Sequence, residues 1–190
     1  PEQSNNLNIG FRFGPFKINE HKFSAGGSGF WRNSKDKIVR QFSTRVNEAL
    51  QATPSVNMGT AQSLGYEASL EYSNKNKLFI SMNMSRFNSL FKLKYDPSGK
   101  IYDHYNKQYP NEPYFIINAN AQYNFKNVLQ EKSELNLYYN LSYVGEFYTT
   151  WLETEMDKTP SQFPHDLGLS YTFPSRRYII SFDAKNITNE

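Results

Sequence analysis

The sequence of 190 residues contains no cysteine, no long apolar run and no cluster of basic residues. The absence of cysteine excludes a disulfide framework and a thiolate metal site within these residues. No apolar run approaches the roughly 18 to 20 residues that a membrane-spanning helix needs, so we expect no transmembrane helix. The net charge of +3 is scattered along the chain, and we therefore expect no nucleic-acid partner.

Aromatic residues are abundant, with 14 tyrosines and 15 phenylalanines. The mean hydropathy of -0.72 would ordinarily indicate a soluble protein. A membrane β-barrel gives a similarly low mean, because its lipid-facing and lumen-facing residues alternate and their hydropathies cancel. Composition therefore leaves both classes open.

The stretch PYFIINANAQYNF, residues 113–125, alternates apolar and polar side chains with a period of two. This period predicts a β-strand with one apolar face and one polar face. If the chain belongs to a membrane barrel, the apolar side chains face lipid and the polar ones face the lumen. These two sets are Ile117, Ala119 and Ala121 for lipid, and Asn118, Asn120 and Gln122 for the lumen.

Similar alternation recurs along the chain and predicts about eight strands of near ten residues, the length that a tilted strand needs to cross a bilayer. No helix is required between them. The predicted strands are residues 7–13, 22–31, 64–72, 78–85, 115–125, 135–143, 167–173 and 178–187.

The connections between these strands alternate between short and long. In an up-and-down antiparallel meander every second connection emerges at the same end, so one rim carries tight turns and the other carries large loops. Outer-membrane barrels have this asymmetry, with short periplasmic turns and long extracellular loops. The short connections are residues 14–21, 73–77, 126–134 and 174–177, and the long ones are residues 33–63, 88–112 and 145–162.

A soluble β-sandwich that binds carbohydrate is the alternative fold, because its strands also alternate and its loops also vary in length. A solvent-facing sheet normally displays lysine, glutamate and threonine, whereas the polar positions here are mostly asparagine, serine, glycine and glutamine. Aromatic residues also gather near the strand ends, where the interfacial girdle of a barrel lies. These two features favour the barrel.

The segment HDLGLSYTFPSRRYIISFDAKNITNE begins at residue 165 and contains a strand ending in an aromatic, a short turn and an Asn-Ile-x-Asn element. It resembles the C-terminal barrel region of TonB-dependent outer-membrane receptors, and further segments of the chain, taken in order, resemble the same family. NMGTAQSLGYEASLEY at residues 57–72 is similar to the family's strand with a Gly-x-Glu pattern. KDKIV at residues 35–39 and YVGEFYTTW at residues 143–151 also resemble family segments.

The resemblance implies an all-β, antiparallel transmembrane barrel of about 22 strands, of which this chain supplies about eight. It implies that residues 1–190 are the C-terminal portion of the receptor barrel, without the N-terminal plug, the TonB box, the earlier strands or the last strand. The implied location is the outer membrane of a Gram-negative bacterium, in contact with its lipid. Energy coupling would come from the TonB complex through the missing plug.

The family resemblance also implies a function, which is active uptake of a scarce small-molecule nutrient rather than an enzymatic reaction. The expected ligands are an iron-siderophore, a cobalamin-like compound or a glycan. A small passive outer-membrane pore is the alternative function for a barrel. The sandwich would instead be a carbohydrate-binding module.

Ligand contacts are expected in the long loops, since loops on rigid scaffolds usually carry binding. The candidates are aromatic residues and a histidine suited to stacking on sugars or aromatic chelates. The same aromatics are also typical of loops that pack on themselves and anchor the rim. The candidate ligand-contacting residues are Tyr102, His104, Tyr105, Tyr109 and Trp151.

Catalytic and metal chemistry find little support in the sequence. The three histidines, His21, His104 and His165, are too dispersed for metal-ligand spacing. His165 stands beside Asp166, but neighbouring strand residues point to opposite faces, so the two side chains should diverge. We therefore predict no catalytic, metal-binding or cofactor-binding residue.

Overall fold

The structure is a computed structural model that describes most of the chain. The described residues are 2–40, 45–46, 49–50, 55–57, 59–75, 77–96 and 98–189. Among them, no helix is both long and apolar enough to cross a membrane.

Eight long strands form one antiparallel sheet in which the order across the sheet follows the order along the chain. Each strand pairs with the strand before it and the strand after it, as in an up-and-down meander. In the part of the chain described, the first and last strands do not pair with each other, so the sheet is an open barrel fragment. The strands are β1 (Gln3–Ile18), β2 (His21–Lys35), β3 (Ala61–Asn74), β4 (Leu78–Phe91), β5 (Phe115–Lys126), β6 (Glu134–Val144), β7 (His165–Thr172) and β8 (Ile179–Ala184).

All eight predicted strands are confirmed in position. β1 is longer than the pattern predicts, and β8 ends at Ala184, short of the predicted end at residue 187. A connection was expected at residues 14–21, but β1 continues to Ile18 and leaves Asn19 and Glu20 as the turn. The pairing register shifts between Phe13 and Phe16, which marks a β-bulge around Gly14. Gly14 has a φ of 91° and its backbone lies against β2, so only glycine suits this position.

The two faces of the sheet differ as the alternation predicts. On the polar face, Asn120 donates a hydrogen bond to Asn140 over 2.5 Å. On the opposite face, Ala119 lies between Met82 of β4 and Leu141 of β6. The assignment of residues 117–122 to alternate faces is therefore confirmed.

Apolar side chains cover the second face without any layer packed on it in the described part of the chain. Ile9 is 70% exposed, and many other large apolar residues are similarly open. The few buried apolar residues lie at one end of the sheet, under the loops, and not between two sheets. An apolar surface of this extent requires an apolar medium, as in a membrane barrel, and is incompatible with the soluble sandwich.

The connections confirm the predicted asymmetry. One rim has only short links, at residues 19–20, 75–77, 127–133 and 173–178, and the other has long loops at residues 36–60, 92–114 and 145–164. Minor elements lie inside the long loops. They are the paired strands Ile38–Arg40 and Ser55–Asn57, Arg45–Val46 and Ala49–Leu50, and Phe147–Tyr148 and Lys158–Thr159, with the 3-10 turn Glu155–Asp157.

The facing of β5 leads to a prediction that compares three variants of the full-length protein in lipid vesicles. Ala119→Arg places a guanidinium in hydrocarbon and should lower the free energy of unfolding by about 2 to 4 kcal/mol. Asn120→Arg should be nearly silent, because the polar face is wet. Ala119→Leu should also be nearly silent in a fluid bilayer, whereas a packed protein core would resist it by roughly 1 to 3 kcal/mol. Chemical unfolding titrations measure all three, and a larger loss for Asn120→Arg than for Ala119→Arg would contradict the facing.

Candidate functional site

The described long loops meet over the polar face of the sheet. We call residues 92–114 loop A and residues 145–164 loop B. A buried cluster, the loop core, joins the ends of β3 and β4 to these loops through Ala61, Phe91, Tyr109 and Trp151. Ala61 pairs directly with Phe91, and the polar-face hydroxyl of Ser63, two residues along, hydrogen-bonds Ser89 at 3.1 Å, so the loop core lies on the polar side.

Trp151 of loop B is the centre of the loop core. Its ring lies 5.8 Å from that of Phe91 and 5.0 Å from that of Tyr109, both in edge-on arrangements. It also lies 5.3 Å from the ring of His104. Such aromatic pairs add to the stabilisation from burial alone, so one side chain of loop B holds both the sheet and loop A.

Loop A is anchored to β4 by backbone hydrogen bonds. The amide of Phe91 donates to the carbonyl of Lys107 over 2.9 Å, and the amide of Asn106 donates back to Phe91 over 2.7 Å. The amide of Tyr109 donates to Ser89 over 2.8 Å. These bonds hold the returning half of loop A along the edge of the sheet and thereby place Tyr109 in the loop core.

Polar contacts also join loops A and B. The amide of Asn111 donates to the carbonyl of Tyr148 over 2.8 Å. Lys107 forms an ion pair with Glu153 at 2.8 Å, and both side chains are about one-third exposed. Since an ion pair this exposed contributes at most about 1 kcal/mol, it orients the loops more than it stabilises them.

Loop B has an internal scaffold around the buried side chain of Asp157. The amide of Thr149 donates to the carbonyl of Asp157 over 2.8 Å. The hydroxyl of Thr154 donates to the Asp157 carboxylate over 2.5 Å, and the buried Thr150 hydroxyl accepts from the amide of Leu152 over 3.2 Å. A buried carboxylate must be hydrogen-bonded, so these contacts fix the 3-10 turn that presents Trp151.

Lys37, from the loop that follows β2, approaches the same cluster. Its ammonium lies 3.9 Å from the centroid of the Tyr109 ring and 3.7 Å from the carboxylate of Glu112. Burial raises the pKa of Tyr109 far above its ordinary value, and Glu112 adds to the effect, so this phenol stays neutral. The Lys37 contact is a cation–π interaction that ties a third loop to loop A.

The five predicted ligand-contacting residues fall into three environments. Tyr109 and Trp151 are buried in the loop core, and Tyr102 is half-buried against it with its ring 5.6 Å from that of Phe91. His104 is half-buried beside Trp151, and Tyr105 is 38% exposed. Packing therefore occupies Tyr109 and Trp151, while contact of any of the five with a ligand stays a prediction.

Exposed residues near the tip of loop A were not among the predicted contacts. Tyr95 is 52% exposed and forms an isolated β-bridge with Ile101. The Asp96 carboxylate accepts hydrogen bonds from the amides of Ser98 and Lys100, each over 2.9 Å. Hydrogen bonding, mainly from the Ser98 hydroxyl, lowers the pKa of Asp96. The Asp-Pro-Ser-Gly sequence at residues 96–99 is a turn pattern that would have predicted this tip.

The polar face below the loops holds a groove of about 630 Å³ that contains two carboxylates. Ser28 donates to Glu67 over 3.3 Å, and Ser24 donates to Glu71 over 2.9 Å. A second groove of about 350 Å³ is lined mainly by amide and hydroxyl groups, together with Asp166. Arg12 also lines the first groove, so the polar face offers hydrogen-bonding groups and charges of both signs.

His165 and Asp166 point to opposite faces, as the strand pattern predicts. The ring of His165 contacts the hydroxyl of Tyr139 on the apolar face. The carboxylate of Asp166 accepts a hydrogen bond from the amide of Asn186 over 2.8 Å on the polar face. The two groups do not form an acid–base pair.

The described residues contain no group of three or more histidines or carboxylates placed to hold a metal ion.

Comparison with protein families gives a match over nearly the whole chain. The family model described as "TonB dependent receptor-like, beta-barrel" matches residues 1–187. A comparison with curated protein sequences finds no match.

Solved structures with the same fold include two receptors. The ferric yersiniabactin uptake receptor FyuA from Yersinia pestis superposes with a TM-score of 0.73 at 16% identity, covering 100% of this chain and 25% of that chain. The FrpB iron transporter from Neisseria meningitidis (F5-1 variant) gives a TM-score of 0.64 at 20% identity, covering 100% of this chain and 27% of that chain. The chain thus spans about a quarter of the receptors that it matches.

The central position of Trp151 predicts that Trp151→Ala uncouples loops A and B. Removing a buried tryptophan from a packed core costs about 3 to 5 kcal/mol, and here the loss should appear as local opening. Hydrogen exchange at the amides of Asn111 and Thr149 in the full-length protein should accelerate strongly. Leu152→Ala is the matched control, since that neighbour is 38% exposed and lies outside the loop core. Unchanged exchange in Trp151→Ala would contradict the central role.

The environment of His104 predicts a pH dependence of the loops. Burial lowers the pKa of His104 from its usual 6.5, Lys107 adds to the lowering, and Asp103 and Glu153 oppose it. His104 therefore binds a proton more readily when the loop is open than when it is packed. Loop packing should weaken as the pH falls from 6.5, and the weakening should stop once the pH is below the lowered pKa of the packed His104. Hydrogen exchange of residues 100–110, corrected for the intrinsic effect of pH, should rise over this interval. His104→Gln should abolish the rise, and its persistence in that variant would contradict the assignment.

Proposed function

The chain belongs to the TonB-dependent receptor β-barrel family, and we propose that it forms part of an outer-membrane receptor that actively takes up a scarce nutrient. The single observation that carries the proposal is the family match over residues 1–187. The apolar outer face and the alternation of short turns with long loops support an outer-membrane location in a Gram-negative bacterium. The family consists of transporters, so no enzymatic reaction is proposed.

The coverage of FyuA and FrpB supports the proposal that this chain is one part of a longer receptor. FyuA and FrpB are about four times longer than this chain, and the sheet described here is open at β1 and β8. We propose that residues 1–190 supply eight strands of a barrel of about 22 and belong to its C-terminal portion. The plug, the TonB box and the contact with the TonB complex would then lie elsewhere in the receptor.

Three ligand classes remain within the proposal, namely an iron-siderophore, a cobalamin-like compound and a glycan. An iron chelate ranks first, because FyuA is named as a ferric yersiniabactin uptake receptor and FrpB as an iron transporter. The exposed rings of Tyr95 and Tyr105 are proposed as ligand contacts, since aromatic faces stack on chelates and on sugars alike. Tyr102 and His104 would contribute from half-buried positions beside them along loop A.

Growth of a deletion strain tests the function. The strain should fail on one limiting source among iron chelates, cobalamin and glycans, and the full-length gene should restore growth. Restored growth should also require the inner-membrane energy supply, because uptake is active. Growth without defect on every source, together with simple diffusion through the reconstituted protein, would indicate a passive pore.

Tyrosine substitutions test the role of loop A once the growth-limiting source is known. Tyr105→Ala should weaken ligand binding about tenfold, equivalent to about 1.4 kcal/mol, because one stacking face is removed. Tyr178→Ala is the matched control, since Tyr178 is also exposed but lies at the opposite rim. Titration of the purified receptor with the ligand measures both. Equal affinities for Tyr105→Ala and the unmodified receptor would remove Tyr105 from the binding surface.

A further inference from the structure

Positive charge is concentrated at the short-turn rim of the sheet. We define this rim as residues 17–22, 73–79, 125–135 and 171–179, which contain eight basic and three acidic side chains and therefore carry a net charge of +5. The whole chain carries +3, so the rest of it carries a net charge of -2. The rim is therefore the basic part of a chain that is otherwise slightly acidic.

Ion pairs neutralise little of this charge. Glu20 pairs with Lys75, and Glu134 pairs with Arg176 at 3.0 Å. Only one other carboxylate, that of Glu131, belongs to the rim. Six cations have no acidic partner among the described residues, and three of them are exposed residues of the turns themselves. Those three are Lys77, Lys132 and Arg177.

The turn at residues 127–133 presents a large apolar side chain beside these cations. Leu129 is 90% exposed at its tip. Hydrogen bonds hold the turn, because the buried Ser133 hydroxyl lies within hydrogen-bonding distance of the carbonyls of Val128 and Gln130 and can donate to either. The hydroxyl of Tyr171, an apolar-face residue, also donates to the Val128 carbonyl over 3.0 Å. This bond ties the turn to the lipid-facing side of the sheet and holds Leu129 and Lys132 near that side.

A band of aromatic rings on the apolar face adjoins the same turns. The rings of Tyr123 and Phe125 lie 4.4 Å apart, and those of Tyr171 and Phe173 lie 5.0 Å apart. Tyr178 continues the band, with its ring 6.5 Å from that of Phe173. Aromatic rings of this kind mark the level of the membrane interface. Lys132 and Arg177 lie in the turns that adjoin this band.

We propose that the short-turn rim binds anionic phospholipid of the periplasmic leaflet, with Lys77, Lys132 and Arg177 contacting phosphate groups and Leu129 inserted among the acyl chains. The inference rests on the membrane location proposed above. Short turns face the periplasm in such barrels, so the leaflet at this rim consists of phospholipid. A net charge of +5 selects anionic over zwitterionic headgroups, and each cation near a charged surface contributes about a fivefold preference.

Native mass spectrometry of the full-length receptor, purified from vesicles of equal parts phosphatidylglycerol and phosphatidylethanolamine, tests the proposal. The unmodified receptor should retain phosphatidylglycerol preferentially. The triple variant Lys77→Gln, Lys132→Gln and Arg177→Gln should lose most of this preference, at about fivefold for each removed charge. The matched control replaces three loop A lysines at the opposite rim, namely Lys92→Gln, Lys94→Gln and Lys100→Gln, and should keep the preference.

A second measurement tests the insertion of Leu129. The variant Leu129→Cys, labelled with an environment-sensitive dye, should show a blue-shifted emission in phosphatidylglycerol vesicles, and a dye at Ser98→Cys on loop A should not. Raising the salt concentration should weaken the lipid preference, because exposed charges are screened.

The possible negative results distinguish failure of the proposed membrane location from failure of the lipid-binding inference. A receptor that does not insert into vesicles at all would overturn the membrane location and this inference together. A receptor that inserts but retains both lipids equally would overturn only this inference, and would leave the rim to a different anionic partner such as a periplasmic protein. A triple variant that keeps its preference, or a loop A control that loses it equally, would also overturn the inference.

Discussion

Backbone hydrogen bonding between neighbouring strands is the constraint on which the rest of this structure depends. Within a bilayer no water is present to satisfy amide and carbonyl groups, so every strand must pair on both sides. Here each strand pairs with its neighbours in sequence, from β1 to β8. Once the backbone is satisfied in this way, one whole face can be apolar. The two outer edges still carry unpaired groups in the described sheet, and a wider barrel satisfies them with further strands.

The same pairing makes the two ends of the sheet different in structure. A meander returns every second connection to one rim, so long loops accumulate there and tight turns accumulate at the other. Loops A and B pack over the polar face, where Trp151 contacts Phe91. The tight turn at residues 127–133 is tied to the apolar face by the hydrogen bond from Tyr171 to the Val128 carbonyl. Aromatic packing thus organises loops A and B at the long-loop rim, whereas basic side chains are concentrated at the short-turn rim.

The loop core explains how long loops keep a defined shape with little regular structure of their own. Loop A is held along β4 by backbone bonds, and loop B is held by the buried Asp157 and by Trp151. Packing uses the most buried rings, whereas Tyr95 and Tyr105 stay exposed. If the exposed rings contact a ligand, as proposed, rigidity and recognition fall to different aromatic residues of the same loops.

The sequence by itself determined the eight strands, the facing of residues such as Ala119 and Asn120, and the alternation of short and long connections. These features follow from a period of two, which is a local property of the chain. The extension of β1 past Gly14 escaped prediction, because a bulge depends on the partner strand. Only the tertiary structure decided that Trp151 and Tyr109 are buried while Tyr105 is exposed. The reason is that the loop core joins residues far apart in sequence, and a local sequence pattern does not indicate which of these rings contact each other.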